Sequence, residues 1–422
     1  MKTPSSSDQT HIAPLPRISL QAFWESPEVA GIIQTAAADR RMERAHVTVT
    51  MGGIAVAAEA YRDAPTPNVI VLDTAANRSD LMVGLEALAE FCDAGTKVVV
   101  IGRTNDIVLY RELMARGISD YLVAPIDVLE FIRALSHLYT SETAAPVGRI
   151  IAVAGAKGGS GASFIAHNIA FSIARDLGIQ TVIADLDLGF GTTGLDFNQD
   201  PVQGMADAVF APYRIDSNLI DRLLSKCGEK LSLLAAPATL EKIYDFPEGA
   251  FDPVIDILRT TTPCVMLDIP HLWSAWSRRV LIHADEIVLA AVPDLANLRN
   301  AKNLLDTLRA ARGHDEKPNL VMNFVGVPKR PEITVDDFAK AVDLAPSAII
   351  PFEPKLLGMV ANNGQMVAEV DKDHQIAETF RKLARKLTHR QEPRKTRASL
   401  FGPVVAWLGL NAPARAEAKA PR

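Results

Sequence analysis

The segment Gly155-Ala-Lys-Gly-Gly-Ser-Gly-Ala-Ser163 carries the densest chemistry in the chain. An apolar run, Ile150–Ala154, leads into it, and a helical pattern, Ser163–Leu177, follows. Glycines let a backbone wrap closely around a phosphate and aim N–H groups at it. The helix that follows adds its positive N-terminal end. The strict loop pattern G-x-x-x-x-G-K-[ST] is not met. Aligned on Gly161, its first glycine is Ala156 and its lysine is Ala162. What remains is a backbone cradle, Gly158–Ser163, with Lys157 ahead of it. Further on, the apolar run Thr181–Asp185 ends beside two carboxylates, Asp185 and Asp187. Such a pair suits a hard, oxygen-preferring cation. Val265-Met-Leu-Asp-Ile-Pro270 again ends an apolar strand in a carboxylate, Asp268. A glycine turn without a ligand is the competing reading of the loop, and capping that of each aspartate taken singly.

The elements that must hold these residues form two series. Asn68–Leu72, Lys97–Ile101 and Tyr121–Val123 read as strands, with Val47–Met51 as the first of the series. Unbroken Val/Ile runs of this kind fit parallel strands buried on both faces. Ala55–Arg62, Leu81–Cys92, Ile107–Arg116 and Val128–Tyr139 have helical spacing between them. Ser141–Gly148 is a linker by composition. The second series runs through Ile150–Ala154, Thr181–Asp185, Leu231–Ala235, Cys264–Leu267, Glu286–Ala290 and Asn319–Asn323. The reading is an α/β chain with two doubly wound parallel-sheet domains. Its expected division is a flexible N-terminal tether over 1–44, a first domain over 45–140, a second over 149–388 and a tail over 389–422. A short amphipathic stretch, Ser19–Ala38, lies inside the tether.

With 422 residues, 48% hydrophobic and 22% charged, the chain has globular proportions. Its net charge of −6 argues against general nucleic-acid binding. The charge is uneven: residues 381–422 hold 11 Lys/Arg against 2 Asp/Glu, and the remainder 33 against 48. A basic tail on an acidic body implies a partner of its own. Cys92, Cys227 and Cys264 are too few and scattered for a disulfide framework or a zinc site. No signal peptide and no run of about 18 apolar residues is evident, so the expected compartment is the cytoplasm.

Lys157-Gly-Gly-Ser-Gly161 and Ser163 resemble the deviant Walker A motif of the ParA/MinD superfamily, K-G-G-x-G-K-[ST]-T. The resemblance implies an ATP site built from Lys157, Gly158, Gly159, Ser160, Gly161, Ala162, Ser163 and Phe164. It implies Mg2+ held by Ser163, Asp187 and Asp268, with Asp187 placing the attacking water and Lys157 reaching the partner's phosphates in a nucleotide-sandwich homodimer. Asp268 matches the Walker B carboxylate and Asn323 the adenine-contacting asparagine. Ile350-Pro351-Phe352 and Asn363-Gly364 resemble the base-side loops. Two departures weaken the site: Ala162 removes the lysine that neutralises the β/γ-phosphates, and Phe164 replaces a threonine. Weak or absent hydrolysis is expected.

Residues 46–139 resemble a response-regulator receiver domain. Asp73 ends NVIVLD, where a receiver carries its phosphoacceptor, and Asp120-Tyr-Leu-Val-Ala-Pro125 resembles its D-Y-L-x-K-P. The supporting chemistry is missing. Thr50-Met51-Gly52-Gly53, taken as the end of the first strand, offers no carboxylate for Mg2+. Gly102 replaces a Ser/Thr, and Ala124 replaces the lysine. Without metal or cation nothing stabilises a transferred phosphoryl group, so Asp73 is expected to be a vestige.

A degenerate receiver before a deviant ATPase, together with the stretch Asn105–Pro125, resembles the CpaE/TadZ family of pilus-assembly proteins. That resemblance implies a localisation and assembly factor of tight-adherence (Flp-type) pili. Its implied partners are a hexameric secretion ATPase and an inner-membrane platform, at the cell pole or inner membrane. A ParA-type DNA-partitioning ATPase and a nucleotide-free scaffold are the alternatives. In the tail, residues 395–410 set Phe401, Trp407 and Leu408 beside Arg394, Lys395 and Arg397. That combination suits a membrane surface or docking on protein, with Gly402, Pro403 and Gly409 opposing a regular helix.

Overall fold

The Val/Ile runs form strands and sort into two sheets in the computed structural model, which describes residues 12–93, 95–139, 147–240 and 242–390. The first sheet has five parallel strands: β1 (Ile18–Trp24), β2 (Ala45–Met51), β3 (Val69–Asp73), β4 (Lys97–Gly102) and β5 (Asp120–Val123). Their order is β2-β1-β3-β4-β5. Every residue of β3 is buried, because helices cover both faces. Pro27–Ala37 and Val128–Tyr139 pack on one face around Ile33, Phe131 and Leu135. Gly53–Ala60, Arg78–Ala89 and Ile107–Ala115 pack on the other around Phe23, Leu81 and Leu113.

The expected tether over 1–44 is corrected for residues 12–44; residues 1–11 lie outside the described residues. Ile18–Trp24 is an interior strand lying between β2 and β3. Its polar residues hid it, since Ser19 and Gln21 interrupt the apolar run. Both find partners inside the domain. Ser19 donates its N–H and hydroxyl to Asn68 Oδ1, at 2.8 and 3.0 Å. Gln21 Oε1 accepts from the Tyr61 hydroxyl at 2.9 Å. Half-buried polar groups satisfied this way cost the sheet little. Val47–Met51 is therefore the second strand and sits at the sheet edge. The linker 141–148 lies largely outside the described residues, and the segment 391–422 wholly so.

The second sheet has eight strands: β6 (Arg149–Gly155), β7 (Thr181–Asp185), β8 (Ser225–Lys226), β9 (Leu231–Leu234), β10 (Cys264–Asp268), β11 (Glu286–Ala291), β12 (Asn319–Val325) and β13 (Ala348–Pro351). The order is β13-β12-β11-β6-β10-β7-β9-β8. All neighbours are parallel except β8 and β9. β6 sits in the middle. The helices Ala162–Asp176 and Gln375–Leu387 cover one face through Ile165, Ile169, Phe380 and Leu383. In an open sheet of this kind ligands gather beyond the carboxyl ends of the strands, where the glycine loop leaves β6.

One carboxylate knots the two domains together. Asp315, buried just beyond the helix Leu295–Ala311, meets three guanidinium groups. Arg40 is 2.7 Å away and Arg312 2.9 Å away, and Arg41 also pairs with it. Arg40 and Arg41 belong to the first domain. Glu43 adds pairs with Arg279 and His283, both at 2.6 Å.

Candidate functional site

The loop after β6 holds its shape through glycine conformations and three side-chain braces. Gly159 and Gly161 lie at φ +80° and +81°, the left-handed region that glycine adopts at no steric cost. Asn323, two residues before the end of β12, donates its amide to the Ser160 carbonyl at 2.9 Å. Asn300 donates to the Ala156 carbonyl at 2.9 Å. His271 Nδ1 stands 3.2 Å from the Gly155 carbonyl. Among the described residues no acceptor meets the N–H groups of Gly158, Gly159, Gly161, Ala162 or Ser163. The Ser160 hydroxyl is buried without a partner. A row of unpaired donors at the start of a helix is a seat for an anion of phosphate shape.

The carboxylates stand next to it. Asp185 and Asp268 are register partners on β7 and β10, so two buried carboxyl groups stand side by side. Burial and then the charge of Asp268 push Asp185 up to about 7. Thr193 donates its hydroxyl to Asp185 Oδ2 at 2.6 Å. Asp187 is held by its own turn, with Oδ1 accepting from the Phe190 N–H at 2.9 Å. The donor set of Ser163 hydroxyl, Asp187 and Asp268 is all hard oxygen, which fits Mg2+ rather than a soft metal. These three would hold the ion beside a nucleotide's phosphates.

His167 was not among the residues read from the sequence, where it passes for a core position of the helix. It is fully buried, with Nδ1 2.8 Å from Asp196 and Nε2 3.4 Å from Asp268. Burial opposes its charge, but hydrogen bonds to Asp196 and Asp268 raise it to about 10. His271 and Asn300 were also missed, since nothing in their local sequence announces contact with the loop.

The remaining expected residues divide. Lys157 is exposed at the loop tip; against burial, hydrogen bonds from Asn297 and then the charge of Lys157 hold the Asp294 carboxyl below its ordinary value. Phe164 turns away from the loop, its ring 5.6 Å from that of Phe380 in the helix packing. Asn323 spends both ends of its amide within the protein, on Ser160 and on the N–H of Phe324. Pro351 ends β13 opposite Val325, beside the edge-to-face pair Phe324–Phe352.

In the first domain Asp73 is wholly buried and fully engaged. Its Oδ2 accepts from the N–H groups of Glu25 and Ser26 at 3.0 and 2.7 Å, and its Oδ1 from Arg103 at 2.8 Å. Because Ile18–Trp24 is the first strand, the residue that follows it is Glu25. The expectation that no carboxylate stands there is corrected. Glu25 is itself committed, accepting from the Ala75 N–H at 2.9 Å. With both Asp73 oxygens occupied, the full chain incubated with acetyl phosphate and Mg2+ should gain no phosphoryl adduct by intact-mass spectrometry. A stoichiometric adduct lost in Asp73→Asn would contradict this.

Comparison with known proteins places both halves. A solved pilus assembly protein CpaE from Caulobacter crescentus CB15 is 47% identical over the N-terminal part, covering 31% of this chain and 100% of that one, with a TM-score of 0.30. A ParA family ATPase from Chlorobium tepidum TLS is 28% identical, covering 56% of this chain and 98% of that one, with a TM-score of 0.51. The septum site-determining protein MinD of Helicobacter pylori is 22% identical over 262 residues, 56% of this chain and 90% of its own. No family model matches the chain.

Proposed function

The chain belongs to the CpaE family of pilus-assembly proteins, and on that premise we propose that it is an ATP-binding localisation and assembly factor with weak or absent hydrolysis. It would recruit tight-adherence pilus machinery to its cellular site, with the hexameric secretion ATPase and the inner-membrane platform as partners. The observation that carries the nucleotide half is the set of unpaired N–H donors at Gly158, Gly159, Gly161, Ala162 and Ser163. ATP, when bound, would supply a triphosphate to those donors, and Ser163, Asp187 and Asp268 would hold its Mg2+. Ala162 places no cation against the β/γ-phosphates, and charge neutralisation is the main contribution proteins make to phosphoryl transfer. Binding without fast turnover follows.

A homodimer with the second domains face to face is part of the same reading. Lys157 is exposed on that face, and so are Phe190 (78%), Trp273 (52%) and Leu295 (73%), which follow the carboxyl ends of β7, β10 and β11. Exposed apolar side chains offered from one end of the sheet would suit the contact surface of such a dimer. Light scattering over a concentration series should show ATP-dependent growth of a dimer, weakened by Lys157→Ala. A strict monomer under every condition would count against it.

Among the described residues no helix is long and apolar enough to cross a membrane. A peripheral contact through 395–410, outside the described residues, is proposed from its sequence. Full-length chain should sediment with anionic vesicles, and a chain ending at Thr388 should not. Equal sedimentation would leave docking on protein as the role of the segment.

A further inference from the structure

We propose that His167 is a positioning residue, a buried joint that ties the loop carrying Asp187 to Asp268 and so sets the oxygen ligands around a bound Mg·nucleotide. The inference rests on the nucleotide reading above for its consequence, but the joint itself stands on geometry. His167 lies four residues beyond Ser163 on the helix Ala162–Asp176 and has no exposed surface. Its ring touches two other elements. Nδ1 is 2.8 Å from Asp196 Oδ2, and Nε2 is 3.1 Å from Thr193 Oγ1 and 3.4 Å from Asp268 Oδ2. Thr193 and Asp196 bound the short helix that closes the loop after Asp187. Asp268 ends β10.

The donors can be assigned from the contacts. The Thr193 hydroxyl has one proton and gives it to Asp185 at 2.6 Å. Nε2 therefore donates to Thr193 Oγ1 and faces Asp268 as a donor. Nδ1 faces a carboxylate, which accepts when ionised. The ring thus holds Asp196, Thr193 and Asp268 at once, and Thr193 extends the chain to Asp185. An apolar residue could be buried at this helix position at no desolvation cost, whereas an imidazole must first be stripped of water. Burying an imidazole between carboxylates is expensive unless every partner is met, and here each ring nitrogen has one. What the arrangement adds is a fixed distance between the Asp187 loop and the end of β10. Residues that orient metal ligands from behind typically change metal affinity 10–100-fold when removed.

Two measurements on the full chain test this, with His167→Ala and His167→Gln. Glutamine can donate toward Asp268 and Thr193 but cannot also bridge to Asp196. In nucleotide-free protein, amide hydrogen exchange should rise about tenfold or more over 186–197 in His167→Ala, with the strands and the helix Ala162–Asp176 unchanged. In calorimetry, His167→Ala should lose about tenfold in affinity for ATP with Mg2+ and keep its affinity for ATP in EDTA. His167→Gln should fall between, and it provides the measurement if the alanine variant does not fold. Exchange unchanged over 186–197, or rising evenly through helix and sheet, overturns the joint, as does an equal loss of affinity with and without Mg2+. If wild type binds no ATP in either condition, the nucleotide reading falls, and the exchange pattern alone decides the joint.

Discussion

Replacing Gly161 by valine is expected to remove Mg·ATP binding, with affinity falling on the order of a hundredfold. Gly161 sits at φ +81°, and a Cβ there would lie 2.3 Å from Asn323 Nδ2 and 3.3 Å from the Phe324 ring. A β-branched residue held in the left-handed region costs about 1–3 kcal/mol. The clash also displaces the amide that braces the Ser160 carbonyl, and a buried hydrogen bond broken on one side costs about 1–3 kcal/mol more. Relaxation of either strain must move the loop whose N–H groups form the anion seat. Gly159→Ala is the matched control, because its Cβ would meet nothing within 4 Å although φ is +80°. It should bind more tightly than Gly161→Val. Ala162→Lys should tighten binding, since a charge-assisted contact would then face the β/γ-phosphates. Calorimetric titration measures all three. A melting curve of Gly161→Val close to wild type shows that the loss is local.

Asp315→Ala is expected to destabilise the chain by about 3–5 kcal/mol, the cost of leaving buried charges without their partner. Three guanidiniums, from Arg40, Arg41 and Arg312, share this one carboxylate across the domain interface. Burial works to raise its pKa, but Arg40 and then Arg312 outweigh burial and hold it below 3.8. A carboxyl with a depressed folded value contributes stability that is present above its unfolded value and lost as pH falls through the folded one. Stability at the interface should therefore be flat above about pH 4 and decline in acid. In Asp315→Ala the acid component should shrink. Urea unfolding monitored across a pH series measures both effects, and limited proteolysis shows whether the domains separate first. Full wild-type stability in Asp315→Ala would contradict the account.

Much of the fold was legible because parallel strands buried on both faces leave unbroken Val/Ile runs. β3, β4, β6, β7 and β10 are such runs. β1 was not legible. Its alternating Ser19 and Gln21 read as a polar helix face, and only Asn68 and Tyr61, distant in sequence, make them tolerable inside a sheet. Misplacing the first strand then misplaced the residue that should follow it, so Glu25 was overlooked. The glycine loop was legible from its spacing, whereas its supports were not. His271, Asn300 and Asn323 reach the loop from the connection after β10, the helix Leu295–Ala311 and β12, and a sequence shows such convergence only where a motif records it. Asn323 was read by motif as a base contact, and the structure spends its amide on the loop. Asp315 lies in a charged stretch, Gly313-His-Asp-Glu-Lys317, that looks like ordinary surface until Arg40 and Arg41 are folded against it.

The central claim is that the cradle binds ATP and barely turns it over. A calorimetric titration of the full chain with Mg·ATP, with phosphate release followed in the same sample, tests it most directly. The account predicts a saturable heat that disappears in Gly161→Val, with phosphate release far slower than that of an ordinary P-loop ATPase. No saturable heat in the wild type, or hydrolysis at the rate of an ordinary P-loop ATPase despite Ala162, would contradict it.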